Sequence, residues 1–175
     1  MRKLEMHELE RISVEEFKSK EKNPIVLVLD NVRSMNNVGS AFRTGDAFCV
    51  EKICLCGITG KPPHRDINKT ALGATDSVDW EHFETTVGAL EKLKKEGYKI
   101  AVIEQVEGAV SLENFQLETG DKYALVFGNE AFGVEDEVLP HADFCLEIPQ
   151  FGTKHSLNIS VSIGVVLWHM VRQIL

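Results

Sequence analysis

The sequence has little that calls for an oxidising compartment, a bound metal or a membrane. Only 4 of its 175 residues are cysteine, and Cys49, Cys54, Cys56 and Cys145 show no C-x-x-C spacing. Paired spacings of that kind are how tetrahedral zinc sites are read, so no metal is expected. Three of the four lie in or beside apolar runs, which points to buried, reduced thiols suited to a reducing cytoplasm. A long apolar run is also missing. The best candidate, Leu157 to Leu175, is interrupted by Asn158, Ser160, Ser162, His169, Arg172 and Gln173, and falls short of the roughly 20 apolar residues a spanning helix needs. Met1 to Lys22 is charged throughout and has none of the basic, apolar and small-residue order of a secretion signal, so a cytoplasmic location is expected. Excess positive charge is absent too: 19 Lys and Arg against 27 Asp and Glu leave a net charge of −8. That excludes a surface broadly dedicated to nucleic acid, whose binding rests on cations neutralising phosphates. Any such contact must be local.

What is present is enough apolar sequence, 43%, for one domain with its own core. We read residues 1–23 as a short helical extension and 24–175 as the domain. Ser13-Val14-Glu15-Glu16 has the form of a capping box, in which serine and the glutamate three residues on satisfy the first free amides of a helix. The helix should run to about Lys20. Continuous apolar runs at Ile25–Leu29, Lys52–Cys56, Tyr98–Ile103, Tyr123–Phe127 and Phe144–Ile148 read as strands buried on both faces. Helices are expected near Gly39–Phe48, Thr86–Glu96 and Glu135–Leu139, with Gly97 at a C-terminal cap. This alternation predicts an α/β fold with a mainly parallel sheet and helices on both faces. The final helix, from about Leu157, is apolar nearly all round and must be covered, by the sheet on one side and by a second copy on the other.

Three polar segments follow strands. Asp30 to Thr44 leaves the first strand at its carboxyl end, where ligands of parallel α/β sheets gather. Within it, Asn36 or Asn37 would equally serve as the N-cap of a helix on which Arg43 is merely solvated. Val126 to Gly133 ends a strand on Gly128 and follows it with Glu130. It contains neither a Gly-Lys-Ser/Thr phosphate loop nor a G-x-G-x-x-G fingerprint. Ile148 to Ser162 passes from strand through loop into the apolar helix; Ser156 is a natural N-cap, and Asn158 and Ser160 are unusual polar residues for the start of a buried helix. His155 has no acid or nucleophile at a triad spacing and reads as a loop histidine.

In order, in spacing and in the closing Ser156-Leu157-Asn158-Ile159-Ser160-Val161, these segments resemble the three motifs of the SpoU (TrmH-like) RNA 2′-O-methyltransferases of the SPOUT superfamily, and the resemblance runs from Ile25 to the C-terminus. The resemblance implies a C-terminal trefoil knot, a homodimer, S-adenosyl-L-methionine as methyl donor, and a ribose 2′ hydroxyl of tRNA or rRNA as acceptor. It places Asn37, Arg43, Glu130 and Asn158 at catalytic positions, and Phe127, Gly128, Ile148, Ser156 and Leu157 around the cofactor. The family's proposal makes the arginine the activator of the hydroxyl. A guanidinium with a pKa above ~12 is a poor base, so Arg43 reads better as an organiser of phosphate and hydroxyl. Larger members carry an N-terminal RNA-binding domain for which Met1 to Asn23 is too short, so the dimer itself would grip RNA. Lys61-Pro62-Pro63-His64-Arg65 and Lys69 form a basic loop that could reach an RNA backbone or simply be solvated. Two other readings stay open: a catalytically inactive RNA-binding homologue of the same fold, and an unrelated nucleotide-binding α/β enzyme.

Overall fold

Every expected strand forms, and all lie parallel in one sheet. The computed structural model describes residues 1–9 and 11–175. Its strands are β1 (Asn23–Asp30), β2 (Val50–Cys56), β3 (Trp80–Phe83), β4 (Tyr98–Ile103), β5 (Val110–Ser111), β6 (Lys122–Phe127) and β7 (Phe144–Glu147). They form a 7-stranded sheet in the order β3-β2-β1-β6-β4-β7-β5, and every neighbouring pair is parallel. The helices are α1 (Val14–Ser19), α2 (Met35–Ala47), α3 (Arg65–Ala71), α4 (Ala74–Ser77), α5 (Thr86–Lys95) and α6 (Ile159–Val171).

The central strand shows why helices cover both faces. Side chains alternate along β1, so Ile25, Leu27 and Leu29 join one core with α2 and α6, while Val26 and Val28 join another with α5. From β1 the chain turns first to β2 on one side and returns later as β6 on the other. The carboxyl ends of β1 and β6 therefore flank a crevice at the reversal of strand order, the usual ligand position in open parallel sheets.

Several details differ from expectation. β3 and β5 were not anticipated, being short edge strands of mixed polarity. Residues Glu135–Leu139 form turns leading into the short 3₁₀ helix Leu139–His141, whose Pro140 lacks the amide that an extended helix would use. The basic stretch after β2 is a helix for Arg65–Ala71, with Ile67 and Ala71 buried. It packs closely on α2: a Cβ on Gly39 would lie 2.3 Å from the Ile67 carbonyl oxygen. α2 starts earlier than expected, and its N-cap is Ser34, whose Oγ accepts from the Asn37 amide at 3.3 Å. For α6 the N-cap is Asn158 and not Ser156.

Candidate functional site

Four loops leave the sheet at the carboxyl ends of β1, β4, β6 and β7, and their polar groups bond mostly to one another. The anchor is Asp30, fully buried at the end of β1. Its carboxylate accepts from Thr86 Oγ1 at 2.5 Å, from the Glu135 amide at 2.9 Å and from Asn31 Nδ2 at 3.1 Å. A buried carboxylate survives only when hydrogen-bonded, and here the donors come from β1, α5 and the loop after β6.

That loop closes on itself. Asn129 and Gly133 exchange backbone hydrogen bonds of 2.8 and 2.9 Å. Gly128 lies so close beneath the turn that a Cβ there would sit 2.1 Å from the Gly133 carbonyl carbon. The glycine is thus required by the chain's own backbone, whatever ligand it also admits. Asn129 pins the loop to the first segment by donating from Nδ2 to the Asn31 carbonyl at 2.8 Å, while its Oδ1 accepts from the Ala131 amide at 2.8 Å.

The closed loop holds Glu130 against the start of α2. Its carboxylate accepts from the Arg33 and Ser34 amides, both at 3.1 Å, and from Asn37 Nδ2 at 2.8 Å. An anion suits a helix N-terminus, where amides lack intrahelical partners and the helix dipole is positive. Burial alone would raise the Glu130 pKa, but the hydrogen bonds from Asn37 and from backbone amides outweigh it and hold the carboxyl below its usual value. Asn37 passes the connection on. Its Oδ1 accepts from Asn158 Nδ2 at 3.3 Å, and Asn158 Oδ1 caps α6 by accepting from the Ser160 amide at 2.8 Å. A relay from Glu130 through Asn37 to Asn158 therefore joins all three polar segments.

Beside this relay lies a cleft of about 670 Å³, lined among others by Phe127, Gly128, Ile148, Ser156, Leu157, Glu130 and Asn158. The volume suits a nucleoside-sized ligand, for which pockets of ~300–1,000 Å³ are usual. Apolar walls from Ile148 and Leu157 face backbone and polar groups of the loops, with the buried Phe127 beneath them. Asn37 stands behind the cleft and is joined to it through Glu130 and Asn158. Arg43 does not line it. Two turns along α2, Arg43 is exposed, and among the described residues it pairs with no carboxylate.

The sequence reading passed over Glu104 and Gln105, which also line the cleft. Glu104 Oε2 accepts from the Val134 amide at 3.2 Å, and Gln105 Nε2 donates to the His155 carbonyl at 2.8 Å. The signal for them was available: polar residues directly after an apolar strand at the sheet's ligand end. His155 enters through its backbone, in keeping with a loop residue. The thiols of Cys54 and Cys56 are buried, and burial pushes Cys54 up to about 12. Among the described residues, no group of three or more His, Cys, Asp or Glu is placed to hold a metal ion, and no helix is long and apolar enough to cross a membrane.

The model of the SpoU rRNA Methylase family matches residues 24–168. A tRNA (guanosine(18)-2'-O)-methyltransferase of Borreliella burgdorferi is 27% identical over 152 residues, covering 87% of this chain and 68% of that protein. The 23S rRNA (guanosine-2'-O-)-methyltransferase RlmB of Neisseria meningitidis is 32% identical over 150 residues, covering 86% of this chain and 59% of that protein. The chain thus spans about three fifths of the second relative. Among solved structures, the A. aeolicus TrmH/SpoU tRNA modifying enzyme superposes with a TM-score of 0.80 at 28% identity, covering 91% of this chain and 80% of that one.

Proposed function

Because the chain belongs to the SpoU rRNA Methylase family, we propose that it is an S-adenosylmethionine-dependent methyltransferase, active on a ribose 2′ hydroxyl of tRNA or rRNA in the cytoplasm. The observation that carries this reading is the cleft of about 670 Å³ beside the relay of Glu130, Asn37 and Asn158. The apolar surfaces of Ile148 and Leu157 fit an adenine ring, and the close-packed turn at Gly128 and the polar Ser156 fit the ribose and amino-acid portions of the donor. When bound, the donor supplies a methyl group already activated on a sulfonium.

The chain's own residues then position and stabilise. Glu130 works as a fixed anion, since both its oxygens accept hydrogen bonds and its pKa is held low, which leaves it a poor proton acceptor. Asn37 and Asn158 lock α2 and α6 to that anion and so act as positioning residues. Arg43, exposed and with no ion partner among the described residues, is free to meet RNA, where its planar fork would hold a phosphate and the hydroxyl together. The hydroxyl proton leaves to a phosphate oxygen or to water. Holding donor and acceptor in line supplies several kcal/mol of the barrier without covalent catalysis.

A homodimer completes the proposal. Val161, Val165 and Trp168, at helical spacing on α6, are 50%, 38% and 55% exposed. Soluble monomers rarely leave so apolar a stripe uncovered. The trefoil knot belongs to the same reading, supported by the way the segment into α6 is held between the loop after β4 and the start of α2. Transfer of labelled methyl groups to bulk RNA tests the activity, and calorimetry with the donor tests the cleft. Binding without transfer to any RNA would favour the inactive homologue, and no binding at millimolar donor would remove the enzyme reading. Light scattering should give twice the chain mass, and Trp168→Glu should halve it.

A further inference from the structure

On the α5 face, Lys52, Lys92 and Lys94 are ion-paired, with Glu96 at 3.1 Å, Glu81 at 2.7 Å and Asp143 at 3.7 Å. Around α2 and α3 the pattern reverses. Arg33, Arg43, Lys61, Arg65 and Lys69 are exposed, and among the described residues none has a carboxylate partner. Within residues 31–47 and 58–77, these 5 cations are accompanied by three acids, Asp46, Asp66 and Asp76. In a chain with a net charge of −8, such a concentration sets one local positive field against a negative background.

The fold also fixes where these charges point. Arg65 and Lys69 are one helical turn apart and share a face of α3, while Ile67 and Ala71 on the other side are buried. Thr70 Oγ1 donates to the Asn36 carbonyl at 3.0 Å, and a Cβ on Gly39 would lie 2.1 Å from that same Oγ1. α3 is therefore fastened to the first turns of α2, next to Asn37 and its relay to the cleft.

We propose that the exposed face of α3, with Lys61 before it, is a docking surface for the RNA backbone, contacting phosphates outside the nucleotide that is modified. It rests on the RNA-methyltransferase reading above and adds to it the surface that grips the substrate. Two exposed cations one turn apart on a helix fastened to α2 suit a polyanionic backbone, and the contacts carry no base information, so they serve many sequences alike.

The test is the salt dependence of binding, with end-labelled bulk tRNA and bulk rRNA as probes. Neutralising a phosphate contact lowers the slope of log K against log salt by about 0.7 to 0.9. Arg65→Ser/Lys69→Ser should flatten the slope by roughly 1.4 to 1.8, raise KM for RNA and leave kcat and donor affinity within a few-fold. Lys94→Ser/Lys95→Ser, which removes equal charge from the opposite sheet face, should leave the slope unchanged. Melting curves guard against unfolding, and Lys69→Glu, at an exposed position, should weaken RNA binding further without them shifting. An unchanged slope and KM in the α3 variant, beside a wild-type protein that binds and methylates RNA, overturns the docking surface alone. An equal loss from the α5 variant overturns it too, because net charge and not place would then matter. A wild-type protein that neither binds nor methylates RNA overturns the functional reading beneath it.

Discussion

The two faces of the sheet are finished in different ways. On one, α5 is an ordinary amphipathic helix: Ala89, Leu90 and Leu93 are buried, and the lysines of its last turn face solvent and carboxylates. On the other, α6 buries Ile163, Val166, Leu167 and Met170 yet leaves Val161, Val165 and Trp168 exposed, while α2 beside it and α3 packed on α2 carry cations that have no carboxylate partner among the described residues. On the α5 face the apolar side chains are covered and Lys92 and Lys94 are paired within the chain. The α2, α3 and α6 face leaves both kinds of side chain open, so it is the face built for other molecules.

The strongest way to break this contrast is Arg43→Ala. If the open face does the chemistry, loss of this charge-assisted contact should cost about 2.7 to 4 kcal/mol, on the order of a hundred- to thousand-fold in single-turnover methylation. Arg43→Lys should be nearly as poor, since it keeps the charge and loses the fork, and donor affinity should stay within a few-fold for both. Near wild-type rates would reduce Arg43 to a solvated helix residue. Next comes Gly39→Ala, which forces α3 away from α2; overpacking of this kind costs about 1 to 3 kcal/mol. Denaturant titration should show that loss, and an unchanged midpoint would mean that α3 is only loosely attached.

A smaller effect is expected from pH. The folded-state pKa of Glu130 is depressed from 4.5, so its contribution to stability is present above the unfolded-state value and is lost as pH falls through the folded one. Wild-type stability should therefore decline on the acid side more steeply than that of Glu130→Gln, with the two curves converging at low pH. Parallel curves would show that the anion at the start of α2 does not matter energetically. The smallest change should follow Lys92→Ala on the closed face, where an exposed ion pair with Glu81 is lost. Exposed pairs contribute little once screened, so melting temperature and RNA binding should hardly move.

The sequence was a good guide where burial dictates pattern and a poor one where partners are distant. Ile25–Leu29 and Tyr123–Phe127 read as central strands because a strand covered on both faces must be apolar throughout. Trp80–Phe83, with Glu81 and His82 inside it, lies at an edge and has no such pattern. The stretch Lys61 to Lys69 looked like a loop because of Pro62-Pro63 and its charge; only Ile67 and Ala71 betray the buried side of α3. Cap positions were ambiguous for a local reason. Ser34, Asn36 and Asn37 all have suitable side chains, as do Ser156 and Asn158, and the choice was made by Glu130, 93 residues from Asn37 in the chain. The roles of Asp30 and Asn129 were hidden in the same way, since their bonds to Glu135 and Asn31 span 105 and 98 residues.

The paired hydrogen bonds between Asn129 and Gly133, with Gly128 packed beneath them, set how the entropy of ligand capture is divided. The amides of this turn already hold their orientation in the folded chain, so a ligand settling on it has little left to order there. The facing wall is different: Ser156 and Leu157, which line it, are exposed, and ordering such side chains costs ~0.5–1.5 kcal/mol each. One wall of the cleft thus serves as a rigid template. More of the conformational cost of binding falls on the other, and substitutions that stiffen Ser156 and Leu157 are a route to tighter affinity.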